Sequence, residues 1–404
     1  MSEAVRLPYR TLAATIVLYA CFAMGRAVAQ GSPQSEGRAR STNSRQCYVS
    51  PQGNDASIGS KSHPWKTIQH AASVAAPGMT VHVAPGLYLG EITSLTSGTA
   101  TERIRFVSDI HWAAQVRSGS EFVWNNKGDY VDIEGFDVSG ESNARVGILN
   151  WASSTRVINN RVHDIPAPGC IRFGGAGIDH AGYSSSNSDT VGNWVFNIGD
   201  YNKPCPRVHG IYQAAAGGVI QNNVVYRAEG WGIHLYHAAH DLTISNNTVF
   251  NNAYGGIVVA QEEGKSPSAD YILVTNNIVY RNGLVQGADG YGIREYGNTG
   301  THNRYLNNLV YGNGPGDWRL QNGNTASGTI AADPHFENYR PDGLGVYRLK
   351  PDSPAIDTGT DLGAPTIDFE GHRRPCGSAF DIGAYEHEPS SSSSDAHNPP
   401  PTSH

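Results

Sequence analysis

A short phrase recurs along the chain and limits what it can fold into: VINNRVHD at 157, VIQNNVVYR at 219, TISNNTVFNN at 243, LVTNNIVYRNG at 273 and RYLNNLVYGNG at 304. A weaker copy, TVGNWVFNIG, begins at 190. The second Asn of each copy falls at 160, 193, 223, 247, 277 and 308, spacings of 24 to 33 residues that signal a solenoid. Runs of three to five β-branched and aromatic residues flank each pair without helical periodicity, so the repeating unit is built of strands. Asn tolerates left-handed backbone, which suits the pair to a tight corner between two strands. Stacked on its equivalents, such an Asn can form an amide ladder. These residues read as scaffold.

A second phrase lies between the corners: VGILNW (146), AGIDHA (176), HGIYQA (209), WGIHLY (231), GGIVVA (255) and YGIREY (291). Each coil then holds a Gly-Ile strand, a loop, a second strand, the Asn corner, a third strand and another loop. That is a right-handed parallel β-helix, an all-β solenoid with three strands per coil. The chain resembles secreted, pectin-lyase-like proteins of this fold, including their polysaccharide lyases. The resemblance also rests on the front segment CYVSPQGNDASIGSKSHPWKTIQHAASVAAPGMTVHVAPGLYLGEI. There PWKTIQHAASVA reads as a short capping helix and GMTVHVAPGLY as the first full strands. At the far end, ADPHFENY, YRLKPDSPAIDTG and FDIGAYEHE resemble a closing segment. The organisation expected is a signal at 1–29, a linker at 30–45, the β-helix at 46–332, the closing segment at 333–388 and a Ser/Pro-rich, disordered tail at 389–404. This fold hosts lyases, hydrolases, epimerases, adhesins and capsid spikes, so the resemblance implies architecture more firmly than reaction.

Arg6 and Arg10 precede the apolar run LAATIVLYACFAM, and AVAQ offers a cleavage point after Ala29, the pattern of an export signal. The expected location is therefore secreted or periplasmic, with lipid anchoring through Cys21 as the lesser alternative. The apolar run is too short to favour a membrane span, and nothing later resembles a transmembrane helix. Four cysteines remain after the signal, which suits two disulfides, read here as Cys170–Cys205 and Cys47–Cys376. A net charge of −7 gives no basic footprint for nucleic acid. An acidic polysaccharide can bind only through local cations, and the expected state is a monomer.

If the Ile of each Gly-Ile phrase points inward, the next residue points outward. The outward column is Leu149, Asp179, Tyr212, His234, Val258 and Arg294. Trp151, Tyr236 and Tyr296, two residues further along, would border the same face. A one-residue slip would reverse this choice. The inward set would already include Asn150, His180, Gln213 and Glu295, an uneasy core.

The outward set has chemical sense for β-elimination from a uronic acid. That reaction needs charge neutralisation at the carboxylate, a base at C5 and an acid at the leaving oxygen. Arg294 is the candidate for the carboxylate, His234 for the base and Tyr212 for the acid, with His209 beside them; Asp179 would orient one of them. Arg172, His180, His237, Lys203 and Arg207 are further substrate-binding candidates, the last two in the loop YNKPCPRVHG. Lysine is the base in several β-helix lyases, so Lys203 stays in view.

His234, His237 and His240 would be neighbours on a helix but diverge on a strand, so no metal site is read there. No cofactor is expected. Calcium is left open only by the Asp-rich stretch DTGTDLGAPTIDFEG. DPHF at 333 is similar to the Asp-Pro-His of β-helix mannuronan epimerases but falls in the closing segment. The leading reading is a secreted polysaccharide lyase acting on an acidic glycan. A glycoside hydrolase, a uronate C5-epimerase and a non-catalytic carbohydrate-binding or adhesive β-helix are the alternatives. A hydrolase would need paired carboxylates, for which Asp179 and Glu295 are the obvious but oppositely facing choice.

Overall fold

A computed structural model describes residues 45–388, apart from Arg172. The expected signal, nearly all of the linker, Cys21 and the tail lie outside these residues. Arg45, assigned to the linker, instead opens the first strand, Arg45–Val49.

Three sheets run the length of the solenoid, with 11, 9 and 9 strands, and each sheet's strands pair in parallel in chain order. The Gly-Ile strands make one sheet, the strands before the Asn corner a second, and those after it the third. This is the right-handed parallel β-helix. The inward Ile148, Ile178, Ile211, Ile233, Ile257 and Ile293 are all fully buried in one core. The helix Ile68–Ser73 packs Ile68, Ala71 and Ala72 against the N-terminal end of that core. Thr67 caps it, its Oγ1 accepting from the His70 N–H at 3.0 Å.

The two asparagines of each corner have separate duties. The first takes the left-handed turn, with φ of +54° at Asn159, Asn222 and Asn276 and +53° at Asn246. The second forms the ladder: Asn160, Asn193, Asn223, Asn247 and Asn277 each donate Nδ2–H to the next Oδ1, at 2.9–3.1 Å, and the series ends on Asn308. A second ladder, Asn252–Asn282–Asn313–Asp317, lines the turn after the third strand. Its signal was present in the trailing Asn of TVFNN, VYRNG and VYGNG.

The Gly of the Gly-Ile phrase also has a physical cause. A Cβ there would point inward at the valine of the third sheet, 2.5 Å from Val162 at Gly147, 2.3 Å from Val225 at Gly210 and 2.4 Å from Val249 at Gly232. Both Gly and Ile therefore face the core, and the outward positions fall on either side of the pair. Gly210→Ala is expected to destabilise by about 1–3 kcal/mol through overpacking. A denaturant midpoint unchanged from wild type would refute that reading.

The polar inward column is hydrogen-bonded along its length, with Gln213 Oε1 the one buried side-chain atom of Asn150, His180, Gln213 and Glu295 left without a partner. Asn126 Nδ2 donates to Asn150 Oδ1 at 2.8 Å, Asn150 lies 3.0 Å from His180 Nδ1, and His180 Nε2 lies 2.8 Å from Thr190 Oγ1. Gln213 donates to the Ala215 carbonyl. Glu295 accepts from Tyr305, Asn303, Asn324 and the Gln321 N–H. His180 is thus a fully buried interior residue that cannot reach substrate, and this corrects its assignment. Glu295 is removed as a hydrolase carboxylate for the same reason.

Two further expectations change. Cys170–Cys205 is a disulfide, but Cys47 is a buried free thiol in the first strand and Cys376 an exposed free thiol. The segment 333–388 does more than close the end. After a short antiparallel pair, Phe336–Asn338 with Val346–Leu349, it runs back along the flank. There Phe336, Tyr347, Ile382 and Tyr385 cover the outward aromatics Tyr226, Phe250 and Tyr280. The first asparagines of the corners hold this strap: Asn222, Asn246, Asn276 and Asn307 donate to the carbonyls of Ile367, Asp381, Thr360 and Thr358. Asp333 of DPHF accepts from the Tyr280 hydroxyl at 2.6 Å, a packing role.

Candidate active site

Register places the outward column as read. Leu149 pairs with Asp179, Asp179 with Tyr212, Tyr212 with His234, His234 with Val258 and Val258 with Arg294. Arg319 continues it by one coil. The residues before each Gly make a second outward column, in which His209 and Trp231 stand.

Four side chains meet on this face. His234 Nδ1 lies 2.9 Å from His209 Nε2, with ring centroids 4.2 Å apart and edge-on. His209 stacks on Tyr212 at 5.3 Å, and Tyr212 meets His234 edge-to-face at 5.3 Å. Asp179 is the cross-strand neighbour of Tyr212, and its Oδ1 is buried without a hydrogen-bond partner. Trp231 and Tyr236 flank His234 at 6.4 and 5.6 Å.

Burial sets the charge state of this group. It lowers His234 to about 3, aided by the nearby His237, and holds His209 well below the usual imidazole range, aided by His234. Both rings are therefore uncharged at neutral pH. Burial also raises the Tyr212 hydroxyl, with the Asp179 charge adding to it, and raises Asp179 to about 7. The site thus holds an unprotonated imidazole pair, a protonated phenol and a carboxyl that keeps its proton to near neutrality. Perturbation of this kind on an open face is a mark of function.

The same shift carries a stability signature. Between about pH 4 and 7 the unfolded chain releases the Asp179 proton while the folded chain keeps it, so stability falls as pH rises. Asp179→Asn is expected to raise the melting temperature at pH 8 and to leave it near wild type at pH 4. A lower melting temperature at pH 8 would contradict the desolvated carboxyl.

The remaining candidates separate from this centre. Arg294 is 8% exposed and two coils further on, its guanidinium donating to the Asp289 carbonyl at 2.7 Å and stacked 5.2 Å from Tyr296. Val258 stands between it and His234 in register, and its guanidinium turns to Asp289 and Tyr296 instead of to Tyr212 or His234. This corrects its place in the expected catalytic trio. His237 turns at the strand end with φ +56°, 4.2 Å from the Tyr183 ring and 6.5 Å from Tyr212. Trp151 and Tyr296 are exposed and Tyr236 half-buried, along the expected border. Lys203 is 81% exposed and paired with Asp200 at 2.8 Å, while Arg207 is an exposed residue of the same loop. The pairing of Lys203 leaves it outside the cluster as a base. Arg172 lies outside the described residues. His240 pairs with Asp241 on the surface, so the three histidines diverge.

Three residues were missed: Tyr183, which no repeat signals; Trp231, visible as the residue before its Gly; and Arg319, visible by counting one coil past the last Gly-Ile phrase. In the Asp-rich region, Asp368, Glu370 and His372 bring ligand atoms within 4.8 Å of one another. Asp368 already accepts the N–H groups of Glu370 and His372, and Glu370 is clamped by Arg348. No helix among the described residues is long and apolar enough to cross a membrane.

Comparison with known proteins agrees with this architecture. A pectate lyase structure, Pel9A, is 17% identical with a TM-score of 0.57, covering 85% of this chain and 96% of its own. A rhamnogalacturonan lyase is 14% identical with a TM-score of 0.55, covering 76% and 97%. At such identity these likenesses concern the fold. Among curated proteins, the uncharacterized protein YwoF of Bacillus subtilis (strain 168) is 26% identical over 58% of this chain and 68% of its own length. Residues 51–94 match a family described as a protein of unknown function, DUF1565. Residues 109–331 match the family described as right handed beta helix region, which spans more than half of the sequence. The chain belongs to the right-handed β-helix family.

Proposed function

We propose that the chain is an exported polysaccharide lyase that cleaves a uronic-acid-containing glycan by β-elimination at the His234 cluster. The observation that carries this reading is the contact of Tyr212, His209 and His234 on the outer face, which sets an uncharged base beside a phenolic donor. His234 takes the C5 proton, and the imidazolium formed is stabilised by His209, 2.9 Å away. The C5–H electrons form the C4–C5 double bond as the C4–O bond breaks, and Tyr212 protonates the departing oxygen. The proton on the histidine pair then restores the phenol, whose ring it faces. Asp179, protonated below about pH 7, donates a hydrogen bond to the uronate carboxylate and so stabilises the charge that builds on it as the C5 proton leaves, in place of Arg294.

The likeness to pectate and rhamnogalacturonan lyases supports the substrate class. Hydrolysis is disfavoured because it requires two carboxylates roughly 5–9.5 Å apart. Asp179 and the strand Gly255–Gln261, which leads into Glu262, stand three strand spacings apart, about 14 Å. Export is supported by the disulfide between the two loops that lead into the site strands. The test is ultraviolet absorbance of a conjugated, unsaturated product when the purified protein meets a panel of acidic glycans, with reducing ends followed in parallel. New reducing ends without absorbance would replace elimination by hydrolysis.

A further inference from the structure

We infer that the cavity around Arg294 and Arg319 is a second carboxylate site, holding a uronic acid further along the glycan than the one at His234. This rests on the proposal above that an acidic glycan lies along this face, but not on the elimination chemistry.

The two arginines are direct cross-strand partners on the outward face. Like charges in that relation destabilise a sheet, so their pairing calls for an anion between them. Both guanidiniums sit over the Tyr291 ring, at 5.8 and 5.6 Å, and Arg294 also sits over Tyr296 at 5.2 Å. The Arg294 side chain is only 10% exposed; its Nη1 donates to the Asp289 carbonyl at 2.7 Å and makes a long ion pair with the exposed Asp289 carboxylate at 3.7 Å. Its Nε is buried without an acceptor. Among the described residues Arg319 makes no ion pair within 4.0 Å. In front of them opens a cavity of about 340 Å³, with Tyr236, Glu262 and Glu263 on its other walls.

Neither glutamate comes within ion-pair distance of either arginine, and both are exposed, placed to meet sugar hydroxyls rather than to fill the guanidinium site. A carboxylate can pair bidentately with such a fork. Two strand spacings, about 10 Å, separate this site from His234. The substrate is therefore a polymer with acids on more than one sugar, not a neutral glycan with an isolated uronate.

The test uses His234→Ala protein, to prevent turnover, and calorimetric titration with short oligomers of galacturonate, mannuronate and hyaluronan. Each is compared with its methyl ester, and both are repeated with Arg319→Gln added. At least one acidic oligomer is expected to bind roughly tenfold or more tighter than its ester. Arg319→Gln is expected to lower that preference several-fold, with a melting temperature near wild type as the folding control. Equal binding of acid and ester, a preference undiminished by Arg319→Gln, or no binding by any oligomer overturns the inference. If the preference falls in Arg319→Gln while wild type yields no unsaturated product, the subsite stands and elimination falls. If product forms but Arg319→Gln leaves the preference intact, the reverse holds.

Discussion

His234→Ala is expected to lower kcat/KM for unsaturated-product formation by roughly 10²–10⁴, the usual contribution of a positioned base. The loss should fall on kcat more than on KM, because the imidazole matters when the proton moves. His234 stands on the outer face, and the inward Ile233 and Leu235 on either side of it hold the strand in the core. A folded, inactive variant is therefore the expected outcome, checked by a melting temperature near wild type. His209→Ala should cost less, since it removes the partner of the imidazolium and not the base. If the His234 variant keeps its activity while the His209 variant loses it, the base is the other ring. If both keep it, elimination does not take place at this cluster.

The largest expected effect on stability lies elsewhere, at Asn247. Its Oδ1 accepts from both the N–H and the Nδ2 of Asn223 at 2.9 Å. Its Nδ2 donates to Ile220 and Ser245 carbonyls and to Asn277 Oδ1. Asn247→Leu keeps the volume but strands the buried Asn223 N–H, a loss of about 1–3 kcal/mol. It also takes one of two partners from Asn223 Nδ2, which keeps the Thr190 carbonyl, and from Asn277 Oδ1, which keeps the backbone N–H of residue 247. A loss of roughly 2–4 kcal/mol in denaturant unfolding is expected. A loss under about 1 kcal/mol would mean that the ladder adds little beyond the corner turn.

The coil register could be read from the sequence because strand alternation is rigid. Once Ile148, Ile178, Ile211, Ile233, Ile257 and Ile293 are placed inward, every neighbour's face follows, and Asp179, Tyr212 and His234 align as the column requires. Alternation fixes where a side chain starts, not where its tip ends. Arg294 sits at the right register, yet its long side chain is drawn to Asp289 and Tyr296 and away from His234. His209 reached the cluster although a strict two-residue period would turn it inward, because Gly210 and Ile211 both face the core. His180 already fell inward by alternation, and only its polarity kept it among the substrate candidates; inside, Asn150 and Thr190 satisfy that polarity. Tyr183 and the path of the C-terminal strap belong to loops, whose course no local pattern dictates.

The strap also imposes an order of assembly. Coils contact mainly their neighbours and can form as the chain emerges. The flank of Tyr226, Phe250 and Tyr280 is sealed only by residues from Phe336 to Tyr385. Until those residues arrive, an incomplete chain presents an apolar aromatic stripe along its side, a surface prone to association with other unfinished chains. Sealing of the flank is thus a late event, in which residues bind segments made more than a hundred residues earlier, such as Ile367 to Asn222.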